Sequence, residues 1–534
     1  MKTMKYLSMA ALALMGAVMT SCSSNDDITN ELPQQPENKD IVETLTASLS
    51  WNSTRALTPE GVKTFSEGDK IAVVYTNTSG TKVKAESVAL TTDDITDDTS
   101  ANFTVTLTNA DKTKNVTYIY PAAMAKSDGT VNYDALASQD GTLESLAQNL
   151  DYCEFSGAWE GALLPTGNLE NQLVVCAFTL KNNDGGAEIT SNVTTMTVSD
   201  GTNVYIVNRT AAAGPIYVAI KPIGDKTLKY TAIANSKVYT KEVSSKTYAA
   251  GDMRPLGLLM TQDDNMIPGL FSVGDTKVYF SKGNLRASGT VSGSTTTWTW
   301  TFAANQWDRI GGRSNGGSET PSGNNNITAS GKLSTTGNVD LFGWSTDETY
   351  LGIHKTNDNN AEYEGAFVDW GSHPDVIAGI GTGWRTLTSD EWRHLMSNRA
   401  GNRFAKAQVR GTRGGFILLP DNWDTKNYAL NNINNAGTAY TANNISNDDW
   451  SPKLEAHGAV FLPVTGQRNG SNYVNGYNDQ LHYWSASKNN TDTGKSANAT
   501  HLRYMPSGEY AGLAPDAGAG RCNGFAVRLV RDVK

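Results

Sequence analysis

The chain has 534 residues, several times the roughly 150 of a typical domain, so it holds more than one core. Hydrophobic residues make up 38%, charged residues only 18%, and there are 50 glycines and 16 prolines, which excludes a disordered chain or a coiled coil and describes an ordered, loop-rich, strand-prone protein. With 54 acidic against 44 basic side chains and a formal charge of -10, it lacks the surplus of Lys and Arg whose counterion release drives binding to nucleic acid or anionic lipid head groups.

Lys2 and Lys5 precede an apolar run over residues 6–19, shorter than the ~20 residues a membrane-spanning helix needs, and residues 1–21 read as a secretion signal. The run ends at Met19-Thr20-Ser21-Cys22, small residues directly before a cysteine. This resembles the lipobox at which bacterial lipoproteins are cleaved and acylated, with Met19 in place of the usual Leu, and it implies a lipid on Cys22. Ser23-Ser24-Asn25-Asp26-Asp27 is similar to the surface-export signal of Bacteroidota-type lipoproteins, which implies a place on the outer face of the cell outer membrane. Residues 22–40, with Pro33-Gln-Gln-Pro36 among them, read as a flexible tether. Cys153 and Cys176 can pair in an oxidising envelope or stay as two buried thiols, Cys522 is left over, and no Cys/His spacing suggests zinc.

From residue 41 the chain reads as strands of period two. Ile71, Val73 and Tyr75 share one face, as do Phe103, Val105 and Leu107, and further runs cover residues 115–120, 174–180, 204–207, 216–220 and 228–233. Leu143, Leu146 and Leu150 recur at helical spacing and predict one short helix. The pattern fits one or two β-sandwiches. Ser53-Thr54-Arg55-Ala56, Phe65-Ser-Glu-Gly-Asp-Lys-Ile-Ala-Val73, Leu180-Lys-Asn-Asn-Asp-Gly185, Tyr217-Val-Ala-Ile-Lys-Pro222 and Tyr248-Ala-Ala-Gly-Asp252 together resemble the fimbrillin family of surface lipoproteins, over roughly residues 41–260. The resemblance implies tandem transthyretin-like β-sandwich lobes, expected over residues 41–165 and 166–262. In family members that polymerise, a protease cuts after an arginine near the front and removes the first strand, and the groove accepts a strand from the neighbouring subunit. Arg55 stands in that position, either as a processing site or as a surface arginine in a loop.

Ten of the twelve tryptophans and all six histidines follow residue 266, and Thr261-Gln-Asp-Asp-Asn265 before Pro268-Gly269 has the polarity of a linker, so a further domain is expected over residues 266–534. Short strands there alternate with Asn/Gly-rich connections. Thr388 with Glu391 three residues on forms a capping-box pattern ahead of an apolar stripe of Trp392, Leu395 and Met396. Arg385-Thr-Leu-Thr-Ser-Asp-Glu-Trp392 and the closing Gly524-Phe-Ala-Val-Arg528 resemble the fold shared by C-type-lectin-like modules, formylglycine-generating enzymes and the Fibrobacter-type major paralogous domain. The fold class expected is therefore mainly β, two sandwich lobes followed by an α+β lectin-like domain.

The chemistry points to binding. The formylglycine-generating family needs a pair of cysteines near its end, and Cys522 is the only cysteine after Cys176. The calcium-binding tripeptides of sugar-binding C-type lectins do not occur, and Asn447-Asp-Asp-Trp450 and Tyr477-Asn-Asp479 read as turns. No two histidines fall three to five residues apart, and Gly379-Ile-Gly-Thr-Gly383 reads as a turn before Trp384 rather than a nucleotide loop. No cofactor, metal or catalytic residue is expected. In the lectin-like fold the ligand face is built from loops before and between the last strands, here residues 469–479 and 488–523, which offer Tyr473, Tyr477, Asp479, Tyr504, Tyr510, Asp516 and Arg521; the same tyrosines can instead cover the core. The expected function is a lipid-anchored adhesin or pilus-tip subunit, whose partners are the outer membrane, fimbrial subunits joined by strand insertion, and an unidentified glycan or protein. The rival is a monomeric glycan-binding lipoprotein for nutrient capture, and an enzyme of the formylglycine-generating type ranks last.

Overall fold

The computed structural model describes residues 40–51, 64–97, 99–209, 213–311, 323–328, 331–346, 348–353, 365–410, 413–469, 473–475, 479–489 and 498–534. The protein is mainly β, as expected. Eight strands make the first sheet, in the order Lys82–Glu86, Ala72–Thr76, Val116–Tyr120, Cys153–Gly157, Gly167–Asn171, Val42–Trp51, Ser100–Thr108 and Ile95–Asp97. The first strand of the chain, Val42–Trp51, thus lies inside the sheet. It pairs antiparallel with Ser100–Thr108 over nine residues, from Val42 with Thr108 to Ser50 with Ser100, and parallel with Gly167–Asn171 over three. Alternation sends Ala47, Leu49 and Trp51 into a core with Phe103, Val105, Leu107, Ile71 and Tyr118, and leaves Thr44, Thr46 and Ser48 on the outer face.

The first sheet runs on past residue 165, where the sequence reading ends the first lobe. Gly167–Asn171 pairs with Val42–Trp51 and with Cys153–Gly157, so the division falls after Asn171. The lobes are also joined more closely than two sandwiches on a string. Ser138–Gln139 pairs in parallel with Val204–Asn208 of the second sheet. Ala72, Val74 and Ile119 on the other face of the first sheet share a core with Val174, Phe178, Met196, Tyr230 and Ala232. The expected short helix is Leu143–Asn149, capped by the Thr142 hydroxyl accepting from Ser145 N at 3.2 Å, and its Leu146 enters that core with Leu150. The second sheet orders Ile216–Ile220, Val174–Asn182, Met253–Gln262, Lys237–Tyr248, Ile223–Ala234, Val193–Ser199, Val204–Asn208 and Ser138–Gln139. Cys153, Cys176 and Cys522 are buried thiols, and no disulfide joins any of them among the described residues.

The junction at residues 261–269 is packed rather than loose. Asp263 N donates to Val238 O, Met266 is buried, and a Cβ on Gly269 would stand 2.5 Å from Gly458 O. Ile233 and Val238 of the second lobe enter one core with Met266, Leu270, Tyr279, Trp300, Trp384, Val527 and Val533 of the following domain, and Arg531 Nη1 meets Asp263 Oδ2 at 2.6 Å across the same boundary. In that domain the chain's closing strand, Leu529–Asp532, is the inner strand between Lys277–Phe280 and Trp384–Thr386. Around it stand the sheet of Leu285–Ser292, Thr295–Phe302 and Gly337–Val339, the sheet of Phe404–Val409, Arg413–Leu418 and Val460–Pro463 edged by Asn444–Ile445, and the sheet of Leu481–Lys488, Asn498–Met505 and Gly512–Gly520.

Candidate binding surface of the C-terminal domain

The motif that predicted a helix start builds it. Thr388 Oγ1 accepts from Glu391 N at 3.3 Å, Glu391 Oε2 accepts from Thr388 N at 2.7 Å, and Ser389–Arg393 follows with Trp392 fully buried. The same Glu391 carboxylate holds Arg385 at 2.6 Å, which also meets Asp532 of the closing strand at 2.8 Å. The second motif arginine, Arg528, is wholly buried and donates to Asn284 Oδ1 at 3.2 Å and Gln306 Oε1 at 2.9 Å, its pKa pushed down to about 10 by burial. Both motif arginines therefore fasten the fold.

The seven residues proposed for the ligand face divide three ways. Tyr510 is 56% exposed with the Arg503 guanidinium 5.2 Å over its ring, Asp516 is exposed and paired with Arg393 at 2.7 Å, and Asp479 is exposed, its backbone carbonyl accepting from Tyr440 Oη at 2.8 Å. Tyr504 and Arg521 are corrections. Tyr504 faces inward beside Leu502 and packs against Phe416 at 5.2 Å and Tyr440 at 6.0 Å, so the strand's alternation assigns it to the core. Arg521 is 2% exposed, stacks 4.3 Å over Trp344 and takes a hydrogen bond from Trp344 N on its carbonyl, so it is shut off from any surface ligand. Tyr473 pairs through its backbone with Asn469, and its side chain lies outside the described residues, as do Tyr477, Cys22 and Arg55.

Two buried polar groups escaped the sequence reading. The hairpin of Leu481–Lys488 and Asn498–Met505 brings His482 and His501, nineteen residues apart, to 3.2 Å between Nδ1 and Nε2, at exposures of 3% and 2%. His501 Nδ1 donates to Ala517 O at 2.8 Å, and with that ring kept neutral by burial its Nε2 accepts from His482 Nδ1. Desolvation depresses both, His482 to about 3, with the Arg503 charge adding to it; Phe525 stacks on the two rings at 4.9 and 4.4 Å. No group of three or more His, Cys, Asp or Glu that could hold a metal ion occurs among the described residues. The second group is Lys406, buried on Phe404–Val409. Its ammonium donates to Ala436 O at 3.2 Å and Tyr504 Oη at 2.5 Å, lies 4.4 and 4.1 Å from the ring centres of Tyr440 and Tyr504, and is pushed down to about 8 by desolvation. The only local signal for either was a polar residue at an inward position of an otherwise apolar strand.

Of the motifs read as turns, the one at Asn447 is helical, Gly379 and Ile380 close a helix ahead of a turn at residues 381–383, and Tyr477 and Asn478 lie outside the described residues. Asn447–Asp449 is a helical turn capped by Ser446, with Asp449 paired to Lys453 at 2.6 Å. Gly381 and Gly383, at φ 84° and 83°, lead out of the helix Pro374–Ile380 into Trp384. A cavity of about 470 Å³ lies where the second lobe meets the C-terminal domain, walled by Val204, Ile206, Ile233 and Leu270 with Lys277 and Asp421 at its polar side.

No protein-family model matches the chain, and no curated protein matches it in sequence. Among solved structures it is similar to a fimbrial assembly protein from Parabacteroides distasonis, with 9% identity and a TM-score of 0.25 over 45% of this chain and 96% of that one. It is similar also to a candidate cell adhesion protein from Bacteroides fragilis, with 10% identity and a TM-score of 0.26 over 49% and 98%. A streptococcal ancillary pilin follows at 9% identity and a TM-score of 0.17, over 48% and 80%. Likeness of this degree transfers neither function nor partner to this chain.

Proposed function

We propose that the protein is a lipid-anchored surface subunit, an adhesin or the tip of a filament, that receives a strand from a neighbour and presents its C-terminal domain outward to a ligand, without enzymatic activity. The observation that carries this is the placement of two strands, Val42–Trp51 and Leu529–Asp532. Leu529–Asp532 is hydrogen-bonded on both sides, to Lys277–Phe280 and to Trp384–Thr386, so it cannot be donated without unmaking the domain. Val42–Trp51 lies between two strands of the first sheet and plugs its core with Ala47, Leu49 and Trp51, so its loss leaves a slot with unpaired main chain on both sides and three empty side-chain positions. Such a subunit accepts a strand but keeps Leu529–Asp532 in its own sheet, which suits the end of a filament. Cutting at Arg55 releases the segment that carries the first strand, and a lipid on Cys22 places the chain at the outer membrane before that cut.

The test compares cells carrying the wild type, Cys22→Ala and Arg55→Ala. Cys22→Ala is expected to leave the membrane fraction. Immunogold label is expected at one end of purified filaments in the wild type and to be lost with Arg55→Ala. Label along the shaft, or an uncut monomer that never joins a filament, sinks the tip reading, and the second outcome favours nutrient capture.

A further inference from the structure

Phe404–Val409 ends at Arg410, which is held at φ 56°, a left-handed conformation that glycine or asparagine adopts at less cost than a long side chain. The backbone there is pinned, since Arg410 N donates to Ile445 O at 2.9 Å. A residue kept against its backbone preference points to use of its side chain. The Arg410 side chain is exposed, its guanidinium rests 5.2 Å over the ring of Trp307, and no carboxylate lies within ion-pair distance of it among the described residues. Trp307 is itself anchored edge-on to Trp450 at 6.3 Å, so the cation sits on a rigid platform.

Arg410 borders a cleft of about 430 Å³, lined further by Asn444, Ile445, Ser446 and Asn447. Ile445 is fully buried, its side chain turned into the core with Val409, Trp450 and Phe461 beneath the cleft. The side-chain amides of Asn444 and Asn447 are exposed and have no hydrogen-bond partner among the described residues, while the Ser446 hydroxyl is engaged by Asp449. A planar donor fork without an internal anion beside two uncommitted amides that each donate and accept suits a ligand with hydroxyls on its edge and a carboxylate for the guanidinium.

We propose that the cleft of Arg410, Asn444 and Asn447 binds a carboxylate-bearing sugar of an acidic glycan. This deepens the function proposed above and rests on it for its biological role, but binding by purified protein is indifferent to anchoring and filament assembly, so the two can fail separately. The test titrates the full-length protein, purified in detergent, with trigalacturonate and with its methyl ester, and in a second arm with sialyllactose and with lactose, by calorimetry. Binding is expected for at least one acid, which identifies the source of the carboxylate, and is expected to be roughly tenfold or more weaker for its neutral counterpart. Arg410→Gly is expected to remove that preference while holding or raising Tm, because it relieves the backbone, and Arg410→Gln is expected to remove it at unchanged chain length. Asn447→Ala should weaken binding severalfold. No binding to either acid at millimolar concentration, equal binding of acid and neutral partner, or an acid preference that survives both Arg410 variants overturns the proposal.

Discussion

His482 and His501 occupy a place where a charge is not tolerated, and this makes them a pH-dependent term in stability. Their folded pKa values lie below the 6.5 of an exposed imidazole, so the folded state prefers the neutral rings. The stabilisation is complete above pH 6.5 and is lost as pH falls from there toward about 3, because the unfolded chain takes up protons that the folded one refuses. At about 1.4 kcal/mol per pH unit, His482 alone removes about 2 kcal/mol by pH 5. Denaturant titrations at pH 7.5, 6 and 5 should show this slope, and His482→Leu/His501→Leu should flatten it whatever its stability at pH 7.5. An unchanged slope would assign acid sensitivity elsewhere. Lys406 works at the other end of the scale: its depressed pKa means the folded state prefers the neutral amine, so stability rises as pH climbs from about 8 past 10, and Lys406→Met should abolish that rise.

At the scale of single elements, the helix Ser389–Arg393 is too short to stand on propensity and depends on its cap and its buried face. Removing the cap hydroxyl with Thr388→Ala should cost about 1 kcal/mol. Glu391→Gln should cost more, since that carboxylate both accepts from Thr388 N and holds Arg385. Trp392→Ala should be worst, at ~3–5 kcal/mol for a large buried side chain. The order of the three, read from the midpoint of the transition in which the C-terminal domain unfolds, checks whether the motif acts through the fold as its geometry says. A Thr388→Ala loss as large as that of Trp392→Ala would contradict it. Gly371 belongs to the same element group: an added Cβ would meet Trp384 O at 1.9 Å, so Gly371→Ala should prevent the strand Trp384–Thr386 from seating.

For the whole molecule, the shared core of Ile233 and Val238 with Met266, Leu270 and Tyr279, closed by the Arg531–Asp263 pair, makes the second lobe and the C-terminal domain one cooperative body. Calorimetry should therefore find a single transition for the two, and Val238→Asp, which places an unpaired charge at a 1% exposed site, should split it. Two transitions already present in the wild type would mean that the interface is too weak to couple them.

Much of this architecture was legible because it is local. Period-two alternation in residues 103–107 and 204–207 places side chains on two faces wherever the strand lies, and the Thr388–Glu391 box closes within one turn, so neither needs knowledge of the rest of the chain. The displacement of ten tryptophans to one side of residue 266 marks a change of composition, while one core runs across that boundary. What stayed hidden depends on pairing between distant segments. Alternation says that Leu502 and Tyr504 share a face but not which face is covered, and the covering residues, Phe416 and Tyr440, come from far earlier in the chain. The same holds for Arg521 over Trp344, for His482 against His501, for Gly167–Asn171 joining the first sheet rather than the second, and for Arg410 meeting Asn444 and Asn447 around one cleft. The sequence by itself determined many of the strands and the helix start at Thr388, because local sterics and hydrogen bonding decide those. Only the tertiary structure decided which polar groups are sealed in and which face solvent, because burial depends on neighbours supplied by long-range packing.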